Sequence, residues 1–371
     1  MPRRLWLILA ALLMVPLLLA CGETRDGATP VPVGEVGVEP TATRAAAAYL
    51  QPTPEVLPVR FPEDEAPHDM LTEWWYYTGH LFTADGTRYG FEYVIFQAQR
   101  GAFPTVYAAQ FAVTDSANQR FVYDQKIGSD AVVPGGEGFN LNLDGWEMRG
   151  ALGTDVLKAA MDEYAIDLTL TSTKPPALHN GTGYVEFGPA GGSYYYSRTR
   201  MEIDGTLTVG EEPVQVTGEA WMDHQWGNFI SVGAGGWDWF SVQLENNEDL
   251  TISLIRDINN EIVMAYGTLV RANGEAVNLE IGEFAVEELD QWTSPHSGAI
   301  YPSEWRIEVP GDDLTLTLTP SMNDQELNTE ASTGVIYWEG EVLVEGTQGG
   351  ETITGLGYVE LTGYSNGSDE Q

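Results

Sequence analysis

Between residues 72 and 364 the chain repeats one pattern: short runs of alternating side-chain character, cut at close intervals by Gly, Pro, Asn or Asp. In Glu73-Trp74-Trp75-Tyr76-Tyr77-Thr78-Gly79-His80-Leu81-Phe82, one face carries Trp74, Tyr76, Thr78, His80 and Phe82. The other carries Glu73, Trp75, Tyr77, Gly79 and Leu81. A period of two fits a strand, whose successive side chains point to opposite sides; a helix repeats its faces about every 3.6 residues. Asp85-Gly86 marks a hairpin turn, with residues 89–96 as the returning strand. Comparable strand–turn–strand units fall at 111–122, 164–172, 201–216 and 237–255. The 41 Gly and 20 Pro supply the turns that so many short strands require. The fold class is therefore all-β, with residues 281–292 as one short helix.

The pattern occurs twice. Gly205-Thr206-Leu207-Thr208-Val209 leads to Val216-Thr217-Gly218 and then Glu219-Ala220-Trp221-Met222-Asp223. Gly340-Glu341-Val342-Leu343-Val344 leads to Ile353-Thr354-Gly355 and then Leu356-Gly357-Tyr358-Val359-Glu360. Trp221 thus corresponds to Tyr358, and Asp223 to Glu360. Internal similarity of this kind points to duplication, with one domain over residues 59–228 and a second over 229–371.

The leading segment reads as an address. Arg3 and Arg4 precede an apolar stretch over residues 5–20, too short for a confident transmembrane helix. It ends in Leu18-Leu19-Ala20-Cys21-Gly22, which resembles the lipobox of bacterial lipoproteins. That resemblance implies acylation of Cys21, removal of the preceding residues and an extracytoplasmic, membrane-anchored protein. Residues 22–58, with Thr29-Pro30-Val31-Pro32 and Gln51-Pro52-Thr53-Pro54, read as an extended tether. The net charge of −38, from 55 Asp and Glu against 17 Lys and Arg, repels nucleic acid and anionic lipid alike. Nucleic acid is excluded as a partner, the lipid anchor is the expected membrane contact, and a monomer is expected. A single cysteine leaves no internal disulfide and no cysteine zinc site.

Three motifs resemble those of the AttH/carotenoid 1,2-hydratase family. They are Glu73-Trp74-Trp75-Tyr76-Tyr77-Thr78-Gly79-His80-Leu81, then Tyr194-Tyr195-Tyr196-Ser197-Arg198, then Gly218-Glu219-Ala220-Trp221-Met222-Asp223-His224-Gln225-Trp226-Gly227. Tyr337-Trp338-Glu339-Gly340 and the run from Gly357 to Tyr364 are similar to the same family's ending. The resemblance implies two lipocalin-like β-barrel domains in tandem. It spans hydratases of carotenoid double bonds and relatives that shape polyene cyclisations. The hydratase branch pairs a His-x-Trp, matched by His224-Gln225-Trp226, with a later Tyr-x-Asp. Here that later strand reads Ile255-Arg256-Asp257, so the acid is present and the tyrosine is missing.

The residues themselves suggest acid chemistry. On a strand Trp221, Asp223 and Gln225 share one face, and Met222, His224 and Trp226 the other. A carboxyl buried among aromatic rings stays protonated more readily and can donate to an alkene, whose cation the ring faces then stabilise. Asp223 and His224 by this reading, and Asp257 and Trp226 by what the resemblance implies, are the expected catalytic set, with Glu73 as a further acid. Trp74, Tyr76, Tyr195, Trp221, Trp237, Trp239 and Arg198 are expected to line an apolar ligand; Arg198 could instead pair with Glu73 or Asp223. His80 is expected in aromatic packing. His68, His179 and His296 lie in loops without ligand spacing, so neither metal nor cofactor is expected. No Gly-x-Ser-x-Gly, His-Glu-x-x-His, phosphate loop or dinucleotide fingerprint occurs. Two readings follow: a cofactor-free catalyst of hydration, isomerisation or cyclisation at a carbon–carbon double bond, or a carrier of lipid or pigment.

Overall fold

The computed structural model describes residues 56–187, 191–229 and 235–365. Cys21 and nearly all of the expected tether lie outside the described residues. The described residues from Pro58 onward form one compact unit.

The first sheet begins with β1 (Thr72–Thr83), β2 (Arg88–Ala98), β3 (Val106–Asp115) and β4 (Arg120–Gly128). It continues with β5 (Phe139–Leu143), β6 (Trp146–Ala151), β7 (Thr154–Ala160) and β8 (Tyr164–Ser172). Two short strands, β9 (Ala177–Leu178) and β10 (Tyr184–Glu186), precede the long hairpin of β11 (Gly192–Val209) and β12 (Glu212–Gly227). The second sheet holds β13 (Gly236–Leu244), β14 (Asp249–Arg256), β15 (Ile262–Val270), β16 (Ala276–Leu279) and β17 (Ala285–Thr293). It ends with β18 (Ile300–Val309), β19 (Leu314–Pro320), β20 (Glu326–Asn328), β21 (Ile336–Gln348) and β22 (Glu351–Thr362).

All pairings are antiparallel, and the two orders match. The first runs β4-β3-β2-β1-β12-β11-β8-β7-β6-β5, the second β16-β15-β14-β13-β22-β21-β19-β18-β17. In each, the opening strand pairs with the closing one, and the sheet curls into a barrel or half-barrel. The chain is thus two lipocalin-like barrels in tandem. The internal echo is structural. Asp223 pairs across to Tyr76 and Ser197, and Glu360 to Trp239 and Glu339.

Among the described residues the helical elements are single 3-10 turns, such as Glu63–Glu65. The expected helix over residues 281–292 is corrected: most of it is β17. Val286 and Trp292, an even number of residues apart, both pack on the second core and pair with Ile307 and Tyr301. A helix would have turned them to different sides.

Each barrel has its own interior. Trp75, Tyr77 and Leu81 enter the first core, with Trp146, Leu168 and Met222; Phe240, Trp305 and Trp338 enter the second. The outer faces are also covered, because β1, β2 and β12 lay theirs against the second sheet. Tyr76, Val94 and Trp221 meet Trp239 and Tyr358 there. At Gly90 an added Cβ would stand 2.5 Å from the Tyr358 hydroxyl, so no larger residue fits that approach.

Polar groups, more than apolar area, fix this seam. The register of β11 shifts between Arg198 and Met201, so Thr199 and Arg200 together oppose the single residue between Ala220 and Met222. That bulge turns both side chains outward. Their common acceptor is Asp249 of β14, which is fully buried. Arg200 Nη2 reaches its Oδ1 at 2.7 Å, Thr199 Oγ1 its Oδ2 at 2.7 Å and Lys174 Nζ its Oδ2 at 2.6 Å. Gln243 Nε2 adds donations to the carbonyls of Thr199 (2.7 Å) and Ala220 (3.0 Å). Asp249→Ala should therefore leave buried Lys174 without a carboxylate and Arg200 with Glu219 alone, and cost about 3–5 kcal/mol, read by urea denaturation. An unchanged denaturation midpoint would show that the seam is held by something else.

Candidate functional site

Consecutive residues of β12 face two compartments. Trp221, Asp223 and Gln225 look into the seam, and Met222, His224 and Trp226 into the first barrel, as strand alternation requires.

In the seam, Asp223 is buried and accepts three hydrogen bonds. Trp221 Nε1 donates to Oδ1 at 2.6 Å, the Ser197 hydroxyl donates to the same oxygen, and the Tyr195 hydroxyl donates to Oδ2. Trp239 Nε1 of the second sheet donates to the Tyr195 oxygen at 3.1 Å. Burial lifts the Asp223 pKa to about 6, and the three donors oppose the rise. His179 lies behind Ser197, with Nε2 at 2.7 Å from its Oγ and Nδ1 at 2.9 Å from Thr268 Oγ1. Burial lowers its pKa to about 3, so the ring is neutral. Ser, His and Asp thus meet, but in the wrong order for a nucleophilic triad. The serine sits between the imidazole and the carboxylate and gives its proton to Asp223.

Glu360, the counterpart of Asp223, has one hydrogen bond from a side chain, from Trp237 Nε1 at 3.0 Å. Burial raises its pKa to about 7, and the charge of Asp223 adds to the rise. Two further carboxyls complete the row. Glu339 accepts from the Tyr76 hydroxyl at 2.7 Å and its Oε2 has no hydrogen-bond partner; neither oxygen of Glu92 has one. Burial holds both well above the usual carboxylate range. The rings of Tyr76, Trp221 and Trp239 surround the row, with centroids 5.3–6.1 Å apart. Two recesses, of about 410 and 590 Å³, open elsewhere: one beside Tyr123 and Met322, the other beside His80, Glu219 and Leu356.

Inside the first barrel, His224 Nε2 and His68 Nδ1 both lie 2.8 Å from Glu73 Oε1. His224 is also 3.3 Å from the Tyr196 hydroxyl, and its ring stacks on Trp75 at 4.7 Å. Trp226 stacks on His68 at 4.2 Å with the planes 2° apart. These three ionisable residues could hold a metal ion.

The expected residues therefore divide. Tyr76, Tyr195, Trp221, Asp223 and Trp239 gather in the seam, with Trp74 packed at its edge and Trp237 at the rim beside Glu360. His224 and Trp226 belong to the barrel interior. Arg198 is also interior and pairs with buried Glu65, not with Glu73 or Asp223. Asp257 is brought to neither group. It closes the turn after β14, accepting from the amides of Asn259 (2.8 Å) and Glu261 (3.0 Å), which lower its pKa. That environment stabilises a carboxylate, the reverse of what an acid catalyst needs. His80 joins Glu341 at 3.0 Å, its ring 5.6 Å from Tyr358. Glu92, Glu339 and Glu360 escaped sequence reasoning as site residues. The internal echo with Asp223 was the available signal for Glu360; nothing local marks the other two.

A protein of Nitrosomonas europaea assigned to AttH is similar at 30% identity, covering 85% of this chain and 100% of that one, with a TM-score of 0.76. Kievitone hydratase of Nectria haematococca shares the fold at 18% identity, with 83% and 94% coverage and a TM-score of 0.68. CghA, crystallised with Sch210972, shares it at 14% identity, with 79% and 89% coverage and a TM-score of 0.55. No match is found among curated proteins. The AttH-like family model fits residues 51–364, and the chain belongs to that family.

Proposed function

We propose that the chain binds an extended apolar molecule, isoprenoid or polyene in character, between its two sheets and protonates a carbon–carbon double bond from Glu360. One observation carries this reading: two equivalent carboxyls have unequal surroundings. Asp223 has three donors that favour its anion, whereas Glu360 has one and is pushed up to about 7. Pairs separated in this way divide into acid and counter-charge.

The alkene takes the Glu360 proton, and the developing cation faces the rings of Tyr76, Trp221 and Trp239. Asp223 supplies fixed negative charge nearby. Addition of water, with its extra proton returned to the Glu360 carboxylate, gives hydration; loss of a different proton to that carboxylate gives isomerisation; attack by a second double bond, followed by such a proton loss from the new cation, gives cyclisation. That kievitone hydratase has this fold supports an alkene substrate by analogy alone. Glu92, Asp223 and Glu339 are buried, whereas Glu360 is half-buried beside exposed Trp237, so the ligand would reach the acid from that rim. We further propose that the protein is exported and held to a membrane by acylated Cys21.

A ligand should co-purify with the full-length protein and be identifiable by mass spectrometry; a linear polyene should quench its tryptophan fluorescence. Failure of both would end the catalyst and carrier readings together. With the substrate in hand, Glu360→Gln should lower turnover by about 10²-fold or more while affinity stays within about tenfold. Asp257→Asn should leave turnover unchanged. A ligand that binds but is never altered makes the protein a carrier.

The pH dependence has a definite sign. Glu360 must be protonated to act, so kcat/KM should rise as pH falls through about 7 and decay above it. A flat profile across that window removes Glu360 as the acid. Cys21→Ser should move the protein from the membrane fraction to the soluble one; unchanged partitioning would sink the anchor.

A further inference from the structure

The acid row leaves unexplained the His68, Glu73 and His224 group on the other side of β12. We propose that these three side chains form a site for one divalent cation of the zinc class inside the first barrel, independent of the seam chemistry. Their ligand atoms lie within 4.8 Å of one another. They come from three places: His68 from the segment that leads into β1, Glu73 from β1 and His224 from β12. Two imidazoles and one carboxylate suit zinc and its neighbours, whereas magnesium and calcium prefer oxygen donors.

Ligands about 2.0–2.1 Å from a tetrahedral ion stand roughly 3.3 Å apart. The present 2.8 Å contacts to Glu73 Oε1 need only a small widening to admit an ion. The atoms that would not bind the ion have partners of their own. Glu73 Oε2 accepts from the His68 amide at 2.8 Å and from Gln97 Nε2 at 3.2 Å. His224 Nδ1 meets the Tyr196 hydroxyl at 3.3 Å. His68 Nε2 has no hydrogen-bond partner and lies 3.5 Å from Asp64 Oδ1. Metal-bound histidines characteristically hand their second ring nitrogen to such a group. The stacking of His68 on Trp226 and of His224 on Trp75 fixes both ring planes.

An ion on His68 Nδ1 and His224 Nε2 requires the ring proton of each to sit on the other nitrogen, facing Asp64 Oδ1 and the Tyr196 hydroxyl oxygen. The ion would tie the leading segment to two neighbouring strands.

The test uses the full-length protein, stripped with a chelator and titrated with Zn²⁺ by calorimetry and with Co²⁺ by visible absorption. One ion per chain and the intense bands of four-coordinate cobalt are expected. Glu73→Gln, which keeps shape and hydrogen bonding, and His68→Ala, from a partly exposed position, should each weaken binding by more than about tenfold. Glu360→Gln should bind the ion as wild type does, which separates this site from the proposed acid. Circular dichroism of each variant confirms folding. A folded wild-type chain that takes up no stoichiometric ion overturns the proposal. So does equal affinity in the Glu73→Gln and His68→Ala chains.

Discussion

The buried carboxylate of Asp249 is the contact on which the arrangement of the two barrels rests. It lies on the second sheet, yet of its three donors Thr199 and Arg200 come from β11 of the first and Lys174 from the connection between β8 and β9. A charge taken out of water is tolerated only when its partners are present in good geometry. Sliding one sheet over the other would leave Asp249 and Lys174 unpaired at once, and Arg200 with only Glu219 of its own sheet. Apolar faces alone would tolerate such a slide. The placement of Tyr195 beside Trp239, and of Glu360 near Asp223, follows from this fixed point.

Much of the fold was legible because a strand's faces are a local property. Period-two alternation alone separates Asp223 from His224, and the repeated hairpin links Asp223 to Glu360. What was illegible is long-range. His68 sits in a loop, and only the closing of β1 against β12 brings it to His224. Glu92 and Glu339 look like ordinary exposed strand carboxyls until a second sheet covers them. Asp257 was misread because a turn begins one residue past the end of its strand, where amides take over its oxygens. The apparent helix at 281–292 reflected acidic residues in a strand whose outer face meets solvent.

Duplication usually gives two copies the same chemistry. Here equivalent positions have drifted apart by the neighbours each recruits: tyrosine, serine and tryptophan around Asp223, one tryptophan beside Glu360. Two carboxyls with identical surroundings would titrate as a symmetrical pair. Unequal donors favour the anion at Asp223 more than at Glu360, so the two titrate apart.

The bulge in β11 has a consequence for how this architecture could arise. An insertion of one residue in a strand normally turns every later side chain to the opposite face, which is ruinous where a core must be filled. Here the extra residue is absorbed on the spot: Met201 returns inward, and the hairpin continues in register to Val209. A single codon gained at Thr199 or Arg200 would thus give a self-contained barrel a charged handle on its outside without disturbing its inside. Such a step lets a duplicated neighbour be captured first and its shared surface refined afterwards.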